Sequence, residues 1–282
     1  MKNLALLINL FLILLVQTNV QGQSKSCCSM SATNEFAMLA GDASFQKAHL
    51  SPDPIVFSPT TGVNFTFPTS DGATGNGFMV KSSSKSAKYL FVIHEWWGLN
   101  DHIKKETEKM AAELSDVNVI AIDLYDGQVA TNADEAGKFM QAVKTERAVS
   151  LINGLINYVG PEAQIQTIGW CFGGGWSLQA AILAGKQSKG CVMYYGMPEK
   201  DLNKLKTLES PVLGIFASKD GWINKPIVDD FEKQMKSLNK PLTVKWYDAD
   251  HAFANPSNPS KYDKEAAEDA YKLSMAFIRK NF

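Results

Sequence analysis

The 282-residue sequence carries almost no net charge, which argues against several kinds of partner. Its 28 Lys and Arg residues nearly balance 29 Asp and Glu residues, so the formal charge at pH 7 is −1. Binding to nucleic acid or to an anionic membrane surface usually needs an excess of positive charge. We therefore expect neither as a partner.

The chain also lacks the glycine-rich phosphate loop of dinucleotide-binding proteins. Such a loop would follow the first parallel strand, but "HEWWGLND" (94–101) stands at that place. The motifs predict neither an organic cofactor nor a metal.

No apolar run near the N-terminus is long enough to span a bilayer comfortably. The run Leu4–Val16 has 13 residues, whereas a spanning helix takes about 20. Lys2 before the run and Gly22 after it give the pattern of a secretory signal peptide. We expect residues 1–22 to be removed on export to a periplasm or the outside, leaving no membrane span; an uncleaved anchor is the alternative.

Cysteine is scarce, and its four copies lie in different settings. Cys27 and Cys28 are adjacent and could pair with each other, pair with another chain, or hold a metal. Cys191 begins an apolar strand and is expected to be packed in the core. Cys171 lies between glycines in "GWCFG" (169–173), a pattern typical of the nucleophile turn of α/β-hydrolases with cysteine in place of serine.

From residue 87 onward, apolar β-branched runs alternate with segments of helical spacing. This alternation predicts right-handed βαβ units and a mostly parallel sheet covered on both faces by helices. The predicted strands are 89–94, 117–123, 165–170, 191–196, 211–217 and 242–248. The predicted helical segments are 101–115, 132–158, 172–185, 224–238 and 261–280.

After the signal peptide, the chain is predicted to have two parts, a leader and a domain. Residues 23–51 form an N-terminal leader, in which two short helices docked on the body are one interpretation and a disordered segment is the other. Residues 52–282 form the α/β domain, which begins with alternating "IVFSP", "VNFTFPT" and "GNGFMVKS". These three stretches predict antiparallel edge strands.

Three chemically capable residues follow the ends of predicted parallel strands, where ligands bind in such sheets. Cys171 opens a helix whose N-terminus favours a thiolate, although a buried packing role is the alternative. Asp220 could orient a histidine, or it could belong to an ordinary Asp-Gly turn. His251 comes last, and the order nucleophile, acid, histidine is that of the α/β-hydrolases. The sequence therefore predicts a Cys171–Asp220–His251 triad.

The sequence resembles the dienelactone hydrolase family over roughly residues 52–282. The resemblance rests on "HEWWGLNDHIK" (94–104), "DLYDGQ" (123–128), "GWCFGG" (169–174), "YYG" (194–196), "SKDGW" (218–222) and "HAFANP" (251–256). It implies an α/β-hydrolase fold and hydrolysis of an ester or lactone, a small-molecule substrate, through a thioester acyl-enzyme. The implied nucleophile is Cys171, with His251 as base and acid and Asp220 as its orienting carboxylate.

Further roles follow from the same resemblance. The backbone N–H groups of Trp96 and Phe172 would form the oxyanion hole. Glu95 would keep the thiol protonated until substrate displaces it, the alternative being a carboxylate that caps the next turn. Four aromatic residues are candidates for substrate contact, with core packing as the alternative: Trp97, Tyr195, Trp222 and Phe253.

The chain departs from the family where dienelactone-cleaving members bind the substrate carboxylate with arginines. Gly127 and Asn255 occupy those two positions, and neither can form a bidentate charge-assisted pair. Lys104 or Lys219 could substitute only as point charges. We therefore expect the chain to hydrolyse an ester or lactone, as the resemblance implies, but expect its substrate to be a neutral, flat or apolar ester.

Three other functions are compatible with parts of the pattern. Glutamine amidotransferases use a similar cysteine turn, but their partner is usually a late His-Pro-Glu element, which "HAF" does not match. A non-catalytic binding protein would lack a triad member, and none is missing here. An esterase or thioesterase with another substrate range would use the same residues.

Export makes a direct prediction about the mature chain. N-terminal sequencing of the exported protein should begin near Gln23, because the small residue Gly22 ends the signal-peptide pattern. An intact Met1 on protein recovered from the cytoplasm would contradict export.

Overall fold

The computed structural model describes residues 31–282. The predicted signal peptide, Cys27 and Cys28 lie outside the described residues. None of the helices from residue 31 onward is long and apolar enough to cross a membrane.

A single eight-stranded sheet forms the centre of the described part. Its strands are β1 (Val63–Pro68), β2 (Thr74–Val80), β3 (Lys88–Ile93), β4 (Asn118–Ile122), β5 (Gln164–Trp170), β6 (Ser188–Tyr194), β7 (Val212–Ala217) and β8 (Leu242–Tyr247). Their order in the sheet is β1-β2-β4-β3-β5-β6-β7-β8. The pairs β1–β2 and β2–β4 are antiparallel and the remaining pairs are parallel. The predicted α/β-hydrolase architecture with antiparallel strands at the N-terminal edge is confirmed.

Burial explains why the sequences of the central strands are continuous apolar runs. Every residue of β4 and β7 is buried, because helices cover both faces of the sheet there. The edge strand β8 instead alternates between exposed and partly buried residues. The carboxyl ends of β3, β5, β7 and β8 meet at one edge of the sheet, where the candidate site lies.

Nine α-helices accompany the sheet in residues 31–282. They are α1 (Ala32–Met38), α2 (Ala43–Ala48), α3 (Asp101–Glu113), α4 (Ala133–Ala142), α5 (Thr145–Val159), α6 (Phe172–Ala184), α7 (Leu202–Lys206), α8 (Lys225–Ser237) and α9 (Lys264–Asn281). The first two are the short docked helices expected in the leader.

One local expectation was wrong. Residues 55–59 ("IVFSP") form no strand; Val56 is 97% exposed, so its apolar side chain gains no burial that would favour pairing. The segment 132–158 is helical as expected, and it is divided into the two helices α4 and α5. Val143 and Lys144 adopt extended backbone angles between α4 and α5, so each helix places its own apolar stripe against the body.

Candidate active site

Cys171 occupies a sharp, strained turn between β5 and α6. Its φ of 56° is in the left-handed region, which is uncommon for residues other than glycine. A Cβ at Gly169 would lie 2.1 Å from the carbonyl oxygen of Gly173, and one at Gly173 would lie 2.3 Å from those of Ile93 and His94. Only glycine therefore allows the N-terminus of α6 to approach β3 and β5 this closely, and the turn presents the thiol at the end of the sheet.

Asp220 and His251 complete a continuous line of contacts to the thiol. His251 Nδ1 lies 2.5 Å from Asp220 Oδ2, and His251 Nε2 lies 3.4 Å from Cys171 Sγ. Asp220 Oδ1 accepts hydrogen bonds from the backbone N–H groups of Trp222 and Ile223, at 2.8 and 2.9 Å. The structure thus brings together the three residues that the sequence places at three separate strand ends.

The charge on Asp220 orients the imidazole of His251. Burial alone would raise the pKa of the Asp220 carboxyl, but His251 and the two backbone N–H donors outweigh it and hold the pKa below its usual value. A charged carboxylate at Nδ1 fixes the proton on that nitrogen. The lone pair of Nε2 then faces the sulfur of Cys171.

The surroundings of Cys171 favour the neutral thiol. Burial raises its pKa well above the usual value, and the charge of Glu95 raises it further. The backbone N–H groups of Phe172 and Trp96 act in the opposite sense and lower the pKa. Both groups therefore affect the thiol, as N–H donors near a sulfur do.

Glu95 is a buried carboxyl group adjacent to the thiol. Burial raises its pKa to about 7, although the charge of His251 and a hydrogen bond donated by Asn255 Nδ2 to Glu95 Oε2 act to lower it. Its charge therefore changes near neutral pH.

The two N-terminal helices lie directly over these residues; we call residues 31–50 the cap. Phe45 is fully buried, and its ring centroid lies 4.1 to 5.9 Å from those of five other rings. These belong to Phe36, His49, Trp222, Trp96 and His251. Under the cap, Cys171 is only 1% exposed.

His49 is the site residue that the sequence analysis missed. Its Nε2 lies 3.9 Å from Cys171 Sγ, and its Nδ1 donates to the carbonyl oxygen of Phe45 at 2.7 Å. Burial and then the nearby charge of His251 lower the pKa of His49 to about 3, so the ring is neutral. His49 follows the last residue of α2 as its C-terminal cap, four residues after Phe45, but nothing in the sequence shows where these two side chains dock.

The four aromatic candidates fall in different surroundings. The rings of Tyr195 and Trp222 lie 4.9 and 5.6 Å from that of His251. Phe253 packs between Tyr195 and Tyr247, at 5.6 and 5.2 Å. Trp97 lines a neighbouring cavity of about 510 Å³.

That cavity adjoins the thiol without reaching it. Glu95 and Asn255 are part of its wall, and Trp170, Tyr262 and Tyr271 supply aromatic surface. Cys171 and His251 do not line it. The hydrogen-bonded Glu95–Asn255 pair therefore separates the cavity from the reactive groups.

The two residues that stand where dienelactone-cleaving relatives have arginines lie in different depressions. Asn255 lies beside Glu95, whereas Gly127 borders a different depression together with Lys104 and Asp123. Lys219 pairs with Asp248 at 3.1 Å on the surface. Neither Lys104 nor Lys219 lines the cavity beside Glu95 and Asn255.

Comparison with known proteins points to one family. The model of the dienelactone hydrolase family matches residues 76–282. Protein usf of Aquifex pyrophilus is 28% identical over 221 residues, covering 72% of this chain and 94% of that protein. Carboxymethylenebutenolidase 1 of Cupriavidus pinatubonensis is 22% identical over 231 residues, covering 77% of this chain and 95% of that protein.

Solved structures support the same fold. A dienelactone hydrolase-like promiscuous phosphotriesterase from metagenomic libraries superimposes with a TM-score of 0.68 at 18% identity. The match covers 79% of this chain and 99% of that chain. At this identity the likeness shows the fold alone.

The cap makes a prediction about reagent access to the thiol. Phe45→Ala should increase the rate of Cys171 alkylation by iodoacetamide at least about tenfold, because it removes the ring that fills the space above His251 and Trp96. Peptide mass spectrometry measures each cysteine separately.

The alkylation experiment has two controls, a second cysteine in the same protein and a second variant of the cap. Cys191, fully buried in β6, should stay unreactive, which shows that the variant remains folded. Met38→Ala alters a side chain of the cap that is 61% exposed and should leave the rate unchanged. Equal alkylation rates in Phe45→Ala and wild type would contradict the assignment of the cap as the barrier.

Proposed function

The chain belongs to the dienelactone hydrolase family and hydrolyses esters or lactones, and we propose that it does so through a Cys171–His251–Asp220 triad. The observation that carries this proposal is the line of contacts from Asp220 Oδ2 through both nitrogens of His251 to Cys171 Sγ, at 2.5 and 3.4 Å. A nucleophile, a base within reach of its proton and a third group that orients the base make up an activated nucleophile.

The reaction begins with transfer of the thiol proton to His251 Nε2. The resulting thiolate attacks the carbonyl carbon of the ester or lactone, and the carbonyl electrons move to oxygen. Collapse of this intermediate breaks the bond to the alkoxy oxygen, which takes the proton from His251. For a lactone the alcohol remains attached to the acyl group.

Water completes the cycle. His251 accepts a proton from the attacking water, whose oxygen bonds to the thioester carbon. The second intermediate expels the Cys171 sulfur, which is reprotonated by His251, and a carboxylic acid is released. Asp220 keeps the proton on Nδ1 throughout and stabilises the imidazolium that forms twice.

The Trp96 and Phe172 N–H groups would stabilise the oxyanion of both intermediates. The support for this role is that both N–H groups lower the pKa of the Cys171 thiol, as donors close to the sulfur do. One such donor typically contributes about 3 kcal/mol to lowering the barrier.

Glu95 opposes premature ionisation of the thiol. Its negative charge raises the pKa of Cys171, and its own pKa of about 7 lets it become neutral with little cost when a substrate carbonyl displaces it. Displacement would also open the thiol to the 510 Å³ cavity, whose size suits a small ligand. Trp97 and Trp222 would then contact substrate, and Tyr195 and Phe253 would support the ring of His251.

Removal of the nucleophile tests the mechanism. Cys171→Ala should lower kcat for a chromogenic ester by at least about 10³-fold, because no other thiol replaces it in the line of contacts. Asp220→Asn should lower kcat by about 10²- to 10⁴-fold, because the amide no longer fixes the proton on Nδ1.

A matched thiol variant serves as the control. Cys191→Ala removes the other described thiol, which lies in β6 away from the site, and should keep most of the activity. Rapid quenching of wild type with substrate should give an acyl adduct on the Cys171 peptide. Turnover by Cys171→Ala at a rate near wild type would rule out this nucleophile.

The substrate that we propose is a small neutral ester or lactone. The sequence contains two arginines, and both are engaged elsewhere: Arg147 with Asp71 and Asp126, and Arg279 with Glu113. A substrate carboxylate near Glu95 would therefore have no guanidinium partner. The cations that line the cavity are Lys105, Lys109 and Lys272, which act as point charges without the planar fork.

Substrate preference can be measured with a matched pair. A short neutral ester should have a kcat/KM at least about tenfold higher than a similar lactone carrying a free carboxylate, since one missing charge-assisted pair costs about 1.5–3 kcal/mol. Asn255→Arg should reduce the difference in kcat/KM between the two substrates. Asn255→Gln, which keeps an amide, should leave that difference unchanged. Gly127 is a poor place for arginine because its φ is +91°. A wild-type preference for the carboxylate-bearing lactone would contradict the proposal.

We also propose that the enzyme is exported after cleavage near Gly22. The support is the pattern of Lys2 and the 13-residue apolar run. The N-terminus of the mature chain tests this point independently of the chemistry.

A further inference from the structure

Three ligand atoms of the kind that zinc prefers converge beneath the cap. Cys171 Sγ, His251 Nε2 and His49 Nε2 all lie within 4.8 Å of one another, and all three residues are buried. The sulfur lies 3.4 Å from the nitrogen of His251 and 3.9 Å from that of His49. Bonds of about 2.3 Å to sulfur and 2.0–2.1 Å to nitrogen in a tetrahedral zinc site place such atoms about 3.5 Å apart.

Both imidazoles are oriented as zinc ligands are. His251 donates from Nδ1 to the Asp220 carboxylate, and His49 donates from Nδ1 to the Phe45 carbonyl oxygen. A histidine that binds a metal almost always donates its other N–H to a carboxylate or backbone carbonyl in this way. The Nε2 lone pair of each ring therefore faces the sulfur, and neither ring needs to rotate or change tautomer.

We propose that the cap and the catalytic residues together form an inhibitory site for a zinc-class divalent cation, with Cys171, His251 and His49 as its three protein ligands. A water molecule would take the fourth position, as in other three-ligand zinc sites. Binding exchanges the thiol proton for the metal, and that proton is released to solvent. His49 is already neutral, so it gives up no proton.

Inhibition follows from what the metal would occupy. It would hold the sulfur and the Nε2 lone pair that the proposed mechanism uses, and it would tie α2 to the body of the enzyme. This consequence rests on the proposed function, whereas metal binding itself does not. The ligands lie at residues 49, 171 and 251, far apart in the chain, so no local spacing motif reveals the site.

Co²⁺ is the spectroscopic probe for this site. The test protein is the full mature chain carrying Cys27→Ser and Cys28→Ser, which removes the adjacent thiols as competing ligands. Adding Co²⁺ should produce a thiolate-to-cobalt charge-transfer band and the visible bands of tetrahedral cobalt. Binding of Co²⁺ should also release the thiol proton to the buffer. Added Zn²⁺ should then displace the cobalt and abolish the bands without releasing a second proton.

Single substitutions identify the ligands. His49→Gln should weaken Zn²⁺ binding at least about a hundredfold, because loss of only an outer partner of a ligand already costs about 10- to 100-fold. Cys171→Ser should abolish the charge-transfer band. His102→Gln, at a histidine on α3 that contacts Asp53, is the matched control and should bind as the parent does.

Ester hydrolysis provides the second readout. Zn²⁺ should inhibit the parent, and the concentration for half inhibition should rise at least about tenfold in His49→Gln, with each protein normalised to its own metal-free rate. Unchanged Zn²⁺ affinity in His49→Gln would overturn the proposal. If that variant fails to fold, X-ray absorption of the zinc-loaded parent decides: one sulfur and two imidazole ligands support the site, and absence of imidazole scattering overturns it.

The two proposals fail in different ways. If the parent binds Co²⁺ as expected but Cys171→Ala keeps its esterase activity, the zinc site is supported and Cys171 is not the nucleophile. If the parent is active and Cys171→Ala is not, but the parent shows no cobalt spectrum, the nucleophile is supported and the zinc site is overturned.

Discussion

The close approach of α6 to the ends of β3 and β5 is the constraint on which the site depends. Gly169 and Gly173 permit it, because a Cβ at either position would collide with backbone oxygens. The approach fixes Cys171 in its positive-φ turn directly before Phe172, the first residue of α6. The same backbone contact therefore positions both the proposed nucleophile and one of the two N–H donors that we propose for the oxyanion.

Burial is the largest influence on the pKa values of three titratable groups at the site. It raises the pKa values of Cys171 and Glu95 and lowers that of His49, so each of these groups is driven toward its neutral form. Asp220 is the exception, because His251 and two backbone donors compensate for its burial. Asp220 is therefore the group at the site whose negative charge is most firmly held, as the proposed role of orienting His251 requires.

Much of this arrangement could be predicted from the sequence, and the reason is local. The strand–turn–helix at residues 165–185 and the polar residues after each apolar run are visible because parallel strands end at one edge of the sheet. The cap could be predicted as two short helices but not as the cover of the site. Its docking depends on Phe45 fitting among Trp96, Trp222 and His251, contacts between residues far apart in the chain. The absence of a strand at 55–59 was missed for a similar reason, since alternation gives no information on whether a partner strand is available.

The position of the cap in the chain has a consequence for how the molecule folds. The contact between His49 and Cys171 spans 122 residues, and the hydrogen bond from Asn258 to the carbonyl of Ala48 spans 210. Closing loops of this length costs conformational entropy, and contacts between distant residues slow folding. The residues of the cap precede Cys171 and Asn258 in the sequence, so during synthesis they emerge before the surface on which they dock. The full set of contacts between the cap and the site therefore cannot form until residue 258 has been added to the chain.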